Sequence, residues 1–151
     1  MNLHFIKQHG FALPAKFYAL LNNEFAQVLP PTLFNAITFT FSDSNYSPET
    51  GGYHPVEIRL EKCVSTNQAN CRLISESCQW QCIYITDFSY QGGADAELVK
   101  EIDIDFVAKQ IYCLYGGWLS PRQGSELLTL FISNFMEYHH MNVFTVTVNF
   151  D

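Results

Sequence analysis

Three groups of side chains in this chain could do chemistry. The first is the set of five cysteines, Cys63, Cys71, Cys78, Cys82 and Cys113. Cys71, Cys78 and Cys82 stand close together, but a structural zinc site draws on a tight Cys-x-x-Cys pair that sets a tetrahedral bite, and the sequence has none. A catalytic thiol needs an orienting histidine, and no spacing sets His54, His139 or His140 against one. An odd count in a chain that does not open on a signal peptide reads as free thiols packed as small hydrophobes. The second group is the polar loop 42–54. Asp43, Asn45 and Ser47 alternate as they do at the start of a calcium loop, yet the sixth position is Pro48 instead of Gly and the twelfth is His54 instead of a bidentate Glu. The loop therefore reads as an ordered surface loop. The third group is Glu101, Asp103 and Asp105, a carboxylate row whose members lie roughly 7 Å apart on one face of a strand. A glycosidase-like pair needs such a separation, but also a cleft and one carboxyl raised by burial. The row reads instead as a solvated acidic face suited to a basic partner. No metal, no cofactor and no catalytic residue is expected.

His139 and His140 close a predicted helix, where the dipole favours them. Aromatic and polar residues cluster beside Gly-Gly turns: Tyr46, Tyr53 and His54 near Gly51-Gly52, and Phe88, Tyr90 and Gln91 near Gly92-Gly93. Such loops suit a contact surface. The expected partner-binding set is therefore Tyr46, Tyr53, His54, Glu57, Asp87, Tyr90, Glu101, Asp103 and Asp105. The rival expectation is a small-ligand-binding domain or hydrolase with a pocket between sheet and helices, converging on His54 and Asp87.

The elements that must position these residues follow from periodicity. From 84 to 115 two alternating segments flank a Gly92-Gly93 turn, and a third follows. Leu98, Lys100, Ile102, Ile104 and Phe106 share one parity, and Val99, Glu101, Asp103 and Asp105 the other, as in an antiparallel strand with one face buried and one wet. Further strands are predicted at 35–41, 56–62, 72–75, 79–89, 109–115 and 143–150, with a polar turn at 65–70. The segment 79–89 is apolar on both parities around Ile83 and reads as a central strand covered on both faces. Gly116-Gly117 is expected to break the sheet. Phe17, Leu20, Leu21, Phe25 and Val28 recur at helical spacing over 14–28, with Pro14 in the first turn and Pro30-Pro31 as the stop. A second helix starts at a Ser120 cap with Pro121 first, presents Leu127, Leu128, Phe131, Phe135 and Tyr138, and ends near 139.

Together these predict one α+β domain, residues 1–151: a curved antiparallel sheet of about six to seven strands with an N-terminal and a C-terminal helix packed on it. Hydrophobic residues make up 48% of the 151 and the net charge is -7. Eight scattered Lys and Arg residues form no basic run, which argues against nucleic acid. No apolar run approaches the ~18 residues of a spanning helix, so no membrane association and a cytoplasmic location are expected.

The string Ser-Pro-Glu-Thr-Gly-Gly-Tyr-His-Pro-Val-Glu-Ile-Arg at 47–59 resembles bacterial domain-of-unknown-function family 2787. So do Tyr-Ile-Thr-Asp-Phe-Ser-Tyr from Tyr84, Glu-Leu-Val-Lys-Glu-Ile-Asp-Ile-Asp-Phe from Glu97, and Asn-Phe-Met-Glu-Tyr from Asn134. The resemblance spans about 11–148 and implies a protein of mobile elements or pathogenicity islands in marine gammaproteobacteria. It also implies a fold similar to the mitochondrial acidic matrix protein family, a strongly twisted antiparallel sheet with terminal helices, a relative that forms a doughnut-shaped trimer and binds many proteins without known catalysis. One departure is that this chain closes on a predicted strand where that fold ends in helices. The functional expectation is an acidic, self-associating, non-enzymatic protein-interaction domain.

Overall fold

The structure, a computed structural model, describes residues 2–7, 11–63 and 78–151. The predicted turn 65–70, the predicted strand 72–75 and Cys71 lie outside the described residues. In chain order the elements are β1 (His4–Phe5), α1 (Ala15–Phe25), β2 (Ala36–Ser42), β3 (Val56–Lys62), β4 (Gln79–Gln91), β5 (Glu97–Asp105), β6 (Gln110–Cys113), β7 (Gly117–Trp118), α2 (Pro121–His140) and β8 (Thr145–Phe150). The sheet runs β7-β6-β5-β4-β3-β2-β8, antiparallel throughout, and β1 adds a short parallel pairing to the start of β4. The domain is α+β as expected, and it closes on a strand after α2. Two two-residue strands extend the predicted sheet. One of them, Gly117–Trp118, lies where a break was expected: Gly117 at φ 67 makes the turn, and Trp118 then pairs with Tyr112.

Both helices lie on one face. Phe17, Leu20, Leu21 and Phe25 of α1, and Leu128, Ile132 and Phe135 of α2, are buried against Ile37, Phe39 and Phe41 of β2, Val56, Ile58 and Leu60 of β3, and Ile85 and Ile104 further along. Phe135 is the hub. Its ring lies 4.9 Å from Phe41, 5.8 Å from Phe144, 6.2 Å from Phe17 and 6.4 Å from Phe131. The start of α2 is fixed by a capping box in which Ser120 Oγ accepts from the Gln123 N–H and the Ser120 N–H donates to Gln123 Oε1. Its end is tied to α1 by His139 Nε2, 2.6 Å from Glu24 Oε1. The opposite face of the sheet is polar. There the Tyr84 hydroxyl donates to Glu57 at 2.5 Å, the Thr86 hydroxyl donates to Asp103 at 2.6 Å, and Arg59 bridges Glu61 and Asp151.

Two register shifts correct the simple period-two reading. Arg59 pairs with Tyr84 but Leu60 with Cys82, so Ile83 is an extra residue on β4. The shift lets Trp80, Cys82 and Ile85 all face the core, while Tyr84 turns to the polar face. β4 is therefore central but covered by helices on one face only, contrary to the two-faced expectation. The second shift lies between Asp87, paired with Ile102, and Phe88, paired with Lys100, leaving Glu101 as the extra residue on β5. Of the predicted apolar set on β5, Ile104 and Phe106 are buried and Ile102 half-buried, whereas Leu98 and Lys100 are exposed. The cysteines also depart from the reading of five free thiols: Cys78 is disulfide-bonded, an outcome that an odd count allows. Cys82 is fully buried, which pushes its thiol far above the ordinary range.

Truncating Phe135 removes the hub between α2, α1 and β2. Phe135→Ala is expected to cost about 3–5 kcal/mol in urea unfolding, whereas Leu130→Ala, on the exposed side of the same helix, should stay within about 0.5 kcal/mol.

Candidate functional site

The loop 42–54 is built around Asp43. Its Oδ1 accepts the Asn45 N–H at 2.9 Å and its Oδ2 the Tyr53 N–H at 3.0 Å, so one carboxylate ties both ends of the loop. Both oxygens already accept backbone N–H groups, which accounts for the order of the loop without a cation. Gly52 makes the close approach possible. At φ +137 it occupies a region that favours glycine, and a Cβ there would lie 2.9 Å from Asp43 Oδ2 and 2.9 Å from the Tyr46 Cα. The chain then enters β3 through Pro55, whose carbonyl accepts the Phe88 N–H at 3.0 Å beside the second register shift.

That shift decides what the loop meets. Asp87 sits opposite Val56 and Ile102 on the helix-covered face of the central strand. Strict alternation would put Glu101 on the other face with Asp103 and Asp105. As the bulged residue, Glu101 instead turns its carboxylate to the Asp87 side. The expected carboxylate row is thus split. Asp103 accepts from Thr86 and pairs with Lys100 on the polar face, while Asp105 Oδ1 caps the following turn by accepting the Val107 and Ala108 N–H groups. Glu57 also belongs to the polar face, where it accepts from Tyr84.

His54, Asp87 and Glu101 converge on the floor of a cavity of about 340 Å³ between the sheet and α2. Its walls are Gly52, Tyr53, Val56 and Ile102 on the sheet side, Phe131, Asn134, Phe135 and Tyr138 from α2, and Phe144. His54 Nδ1 lies 3.1 Å from Asp87 Oδ2 and 3.4 Å from Glu101 Oε2. Asp87 is 6% exposed. Burial raises its carboxyl above the ordinary value, the His54 hydrogen bond and charge pull it back, and the Glu101 charge adds to the rise. The His54 imidazole is raised too, first by its hydrogen bond to Asp87, against desolvation, and then by the charges of Asp87 and Glu101.

Of the expected tyrosines, Tyr53 lines the cavity, Tyr46 packs on His54 and Tyr90 packs on Tyr46. The Tyr46 ring lies 5.2 Å from the His54 ring and 5.1 Å from Tyr90, and the Tyr46 hydroxyl accepts the Tyr90 N–H at 3.0 Å. Tyr53 packs on Tyr138 of α2 at 4.7 Å. Of the nine expected partner-binding residues, the structure brings Tyr46, Tyr53, His54, Asp87, Tyr90 and Glu101 together and leaves Glu57, Asp103 and Asp105 elsewhere. Sequence reasoning missed Phe131, Asn134, Tyr138 and Phe144 as cavity walls. The breadth of the α2 apolar stripe was the available signal: Phe131 and Tyr138 are only partly covered, although they share the stripe of Phe135.

The profile of the family described as "Protein of unknown function (DUF2787)" matches residues 15–149. Among solved structures, the chain is similar to the hypothetical protein VC0508 from the VSP-II pathogenicity island of Vibrio cholerae, with 28% identity, 99% of this chain and 100% of that one covered, and a TM-score of 0.83. It is also similar to the conserved hypothetical protein VC1805 from pathogenicity island VPI-2 of Vibrio cholerae, with 32% identity, 96% and 99% covered and a TM-score of 0.75. That protein is described as sharing structural homology with the human P32 protein. No curated protein matches. Among the described residues no helix is long and apolar enough to cross a membrane.

The raised imidazole gives a pH signature. In an NMR titration the His54 ring should titrate above the ordinary 6.5, and Asp87→Asn should bring it down further than Glu101→Gln. Because the folded value lies above the unfolded one, the contribution of His54 to stability is full below about 6.5 and is lost as pH rises through the folded value. Asp87, raised above 3.8, acts in the same sense at lower pH. The unfolding midpoint should therefore fall from mildly acidic to mildly alkaline buffer, and this fall should shrink in His54→Gln.

Proposed function

The chain belongs to the DUF2787 family of proteins of unknown function, and we propose that it is a protein-binding domain whose partner places a group in the cavity between the sheet and α2. The observation that carries this reading is the turned Glu101. A bulge gives up a regular ladder pairing and brings a second carboxylate beside a buried one. Neither packing nor solubility requires that arrangement. A concave, mostly apolar cavity with a few convergent polar groups is the usual form of a recognition site. Tyr53 and Tyr138, which line the cavity, supply the rigid amphipathic contact area that protein interfaces favour, and Tyr46, stacked on His54, and Tyr90 continue that aromatic surface beyond it. The polar-face acids are weaker candidates, since Glu57, Asp103 and Asp105 already accept hydrogen bonds from within the chain.

The small-ligand reading draws on the same cavity. A hydrolase would use His54 with Nδ1 on Asp87 and Nε2 on a nucleophile, but no Ser, Thr or Cys stands among the described residues that line the cavity. Self-association belongs to the proposal as well. The sheet is open and ends in β7 and β8, edges that a second copy could cover.

Capture from an extract of the native host tests the contact surface. Tyr53→Ala/Glu101→Gln should lose the partner by tenfold or more, whereas Asp103→Asn/Asp105→Asn should retain it. The opposite result would move the contact to the polar face and overturn the proposal. Light scattering at low and high salt should give a mass at least twice the 17.3 kDa of one chain; a clean monomer would remove self-association.

A further inference from the structure

We propose that His54, Asp87 and Glu101 bind a divalent transition-metal ion of the zinc class at the cavity floor. The proposal deepens the cavity reading; it rests on that reading for what the ion would hold, while the binding itself can be measured on the protein alone.

The donor set comes first. One imidazole nitrogen and two carboxylates match Zn²⁺, Mn²⁺ or Fe²⁺, whereas Ca²⁺ and Mg²⁺ favour all-oxygen sites. Separation is the second point. Metal–ligand bonds of about 2.0–2.2 Å at a tetrahedral angle hold the ligand atoms roughly 3.3–3.5 Å apart. His54 Nδ1 stands 3.1 Å from Asp87 Oδ2 and 3.4 Å from Glu101 Oε2, and all three ligand atoms lie within 4.8 Å of one another. The two separations from the imidazole nitrogen already match those of a tetrahedral site.

Hydrogen bonding alone does not account for the trio. Nδ1 carries at most one proton, and Asp87 already takes it. Glu101 is left at an ion-pair distance with no hydrogen bond of its own to the imidazole. No Lys or Arg lines the cavity among the described residues. Two carboxylates and one imidazolium leave a net charge of -1 at a floor where Asp87 is buried and His54 and Glu101 are half-buried. A divalent ion bound through neutral His54 brings that charge to zero, with the Nδ1 proton released to solvent.

The three ligands are also held from behind. Asp87 is on the central strand between β3 and β5, Glu101 is at a bulge whose carbonyl accepts the Leu114 N–H at 2.8 Å, and His54 ends the loop that Asp43 ties together. Three protein ligands with the remaining position facing a cavity is the open type of metal site, so a carboxylate or imidazole of the partner is the chemistry that would complete it.

The test uses the full-length, chelator-treated protein and the metal alone. Titration with Zn²⁺ by calorimetry, and with Mn²⁺ by paramagnetic broadening of the His54 ring signals, should show one ion per chain. Asp87→Asn and Glu101→Gln should each weaken it by at least about tenfold, while Asp103→Asn should leave it unchanged. Should Asp87→Asn fail to fold, Glu101→Gln, at a half-buried position, still decides the matter. No saturable binding of either ion up to about 1 mM, or binding that both substitutions leave intact, would overturn the proposal. Metal binding that persists while partner capture ignores both the ion and the cavity substitutions would retain the metal site and overturn the cavity reading instead.

Discussion

Asp87 occupies the helix-covered face of the central strand, where both of its cross-strand partners are apolar: Val56 on one side, Ile102 on the other. A carboxylate there is costly unless it is partnered. The His54 imidazole at 3.1 Å supplies the partner, and much of the surrounding architecture serves to hold that imidazole in place. Asp43 ties the loop, Gly52 allows its close approach, the Tyr46 ring packs on the imidazole, and Pro55 hydrogen-bonds across to Phe88 where the ladder slips. A group of local contacts that looks like loop stabilisation is therefore the support of one pair, a buried carboxylate and a half-buried imidazole.

The helices set the boundary of the same site. Phe135 anchors α2 over β2 by ring contacts with Phe17 and Phe41. One turn away on the same stripe, Phe131 and Tyr138 reach past the packed core and wall the cavity. The core and the cavity are thus two parts of one helix face. Phe135 meets Phe41 of β2 and also lines the cavity, whose floor is His54 with Asp87 of β4 and Glu101 of β5.

Much of the fold was legible in the sequence because its signals are periodic and local. Ser120-Pro121 with Gln123 marks the start of α2, and the alternation from Val56 to Lys62 marks β3 at both ends. β1 and β7 were not legible: two residues cannot display a period. Nor were the two bulges. Nothing in Cys-Ile-Tyr or Lys-Glu-Ile announces an extra residue, and one uncounted residue reverses the face of everything after it. Glu101 was assigned to the acidic row with Asp103 and Asp105 for that reason. His54 and Asp87 were within reach as a pair on which a pocket could converge, but their third companion depended on a register that only the paired strands reveal.

β8 has a further consequence, which concerns time. β2 pairs on one side with β3, close in sequence, and on the other with β8, where Ile37 meets Phe150. Closing so long a loop is entropically unfavourable, and non-local pairings of this kind slow folding. A chain made from its N-terminus completes β2, β3 and β4 well before α2 and β8 exist. Through that interval Phe41 lacks its Phe135 contact from α2, and the far edge of β2 is an open template for another strand. The nascent domain is therefore most exposed to aggregation while its last segments are still being synthesised, and the β2 edge is covered only when β8 pairs with it.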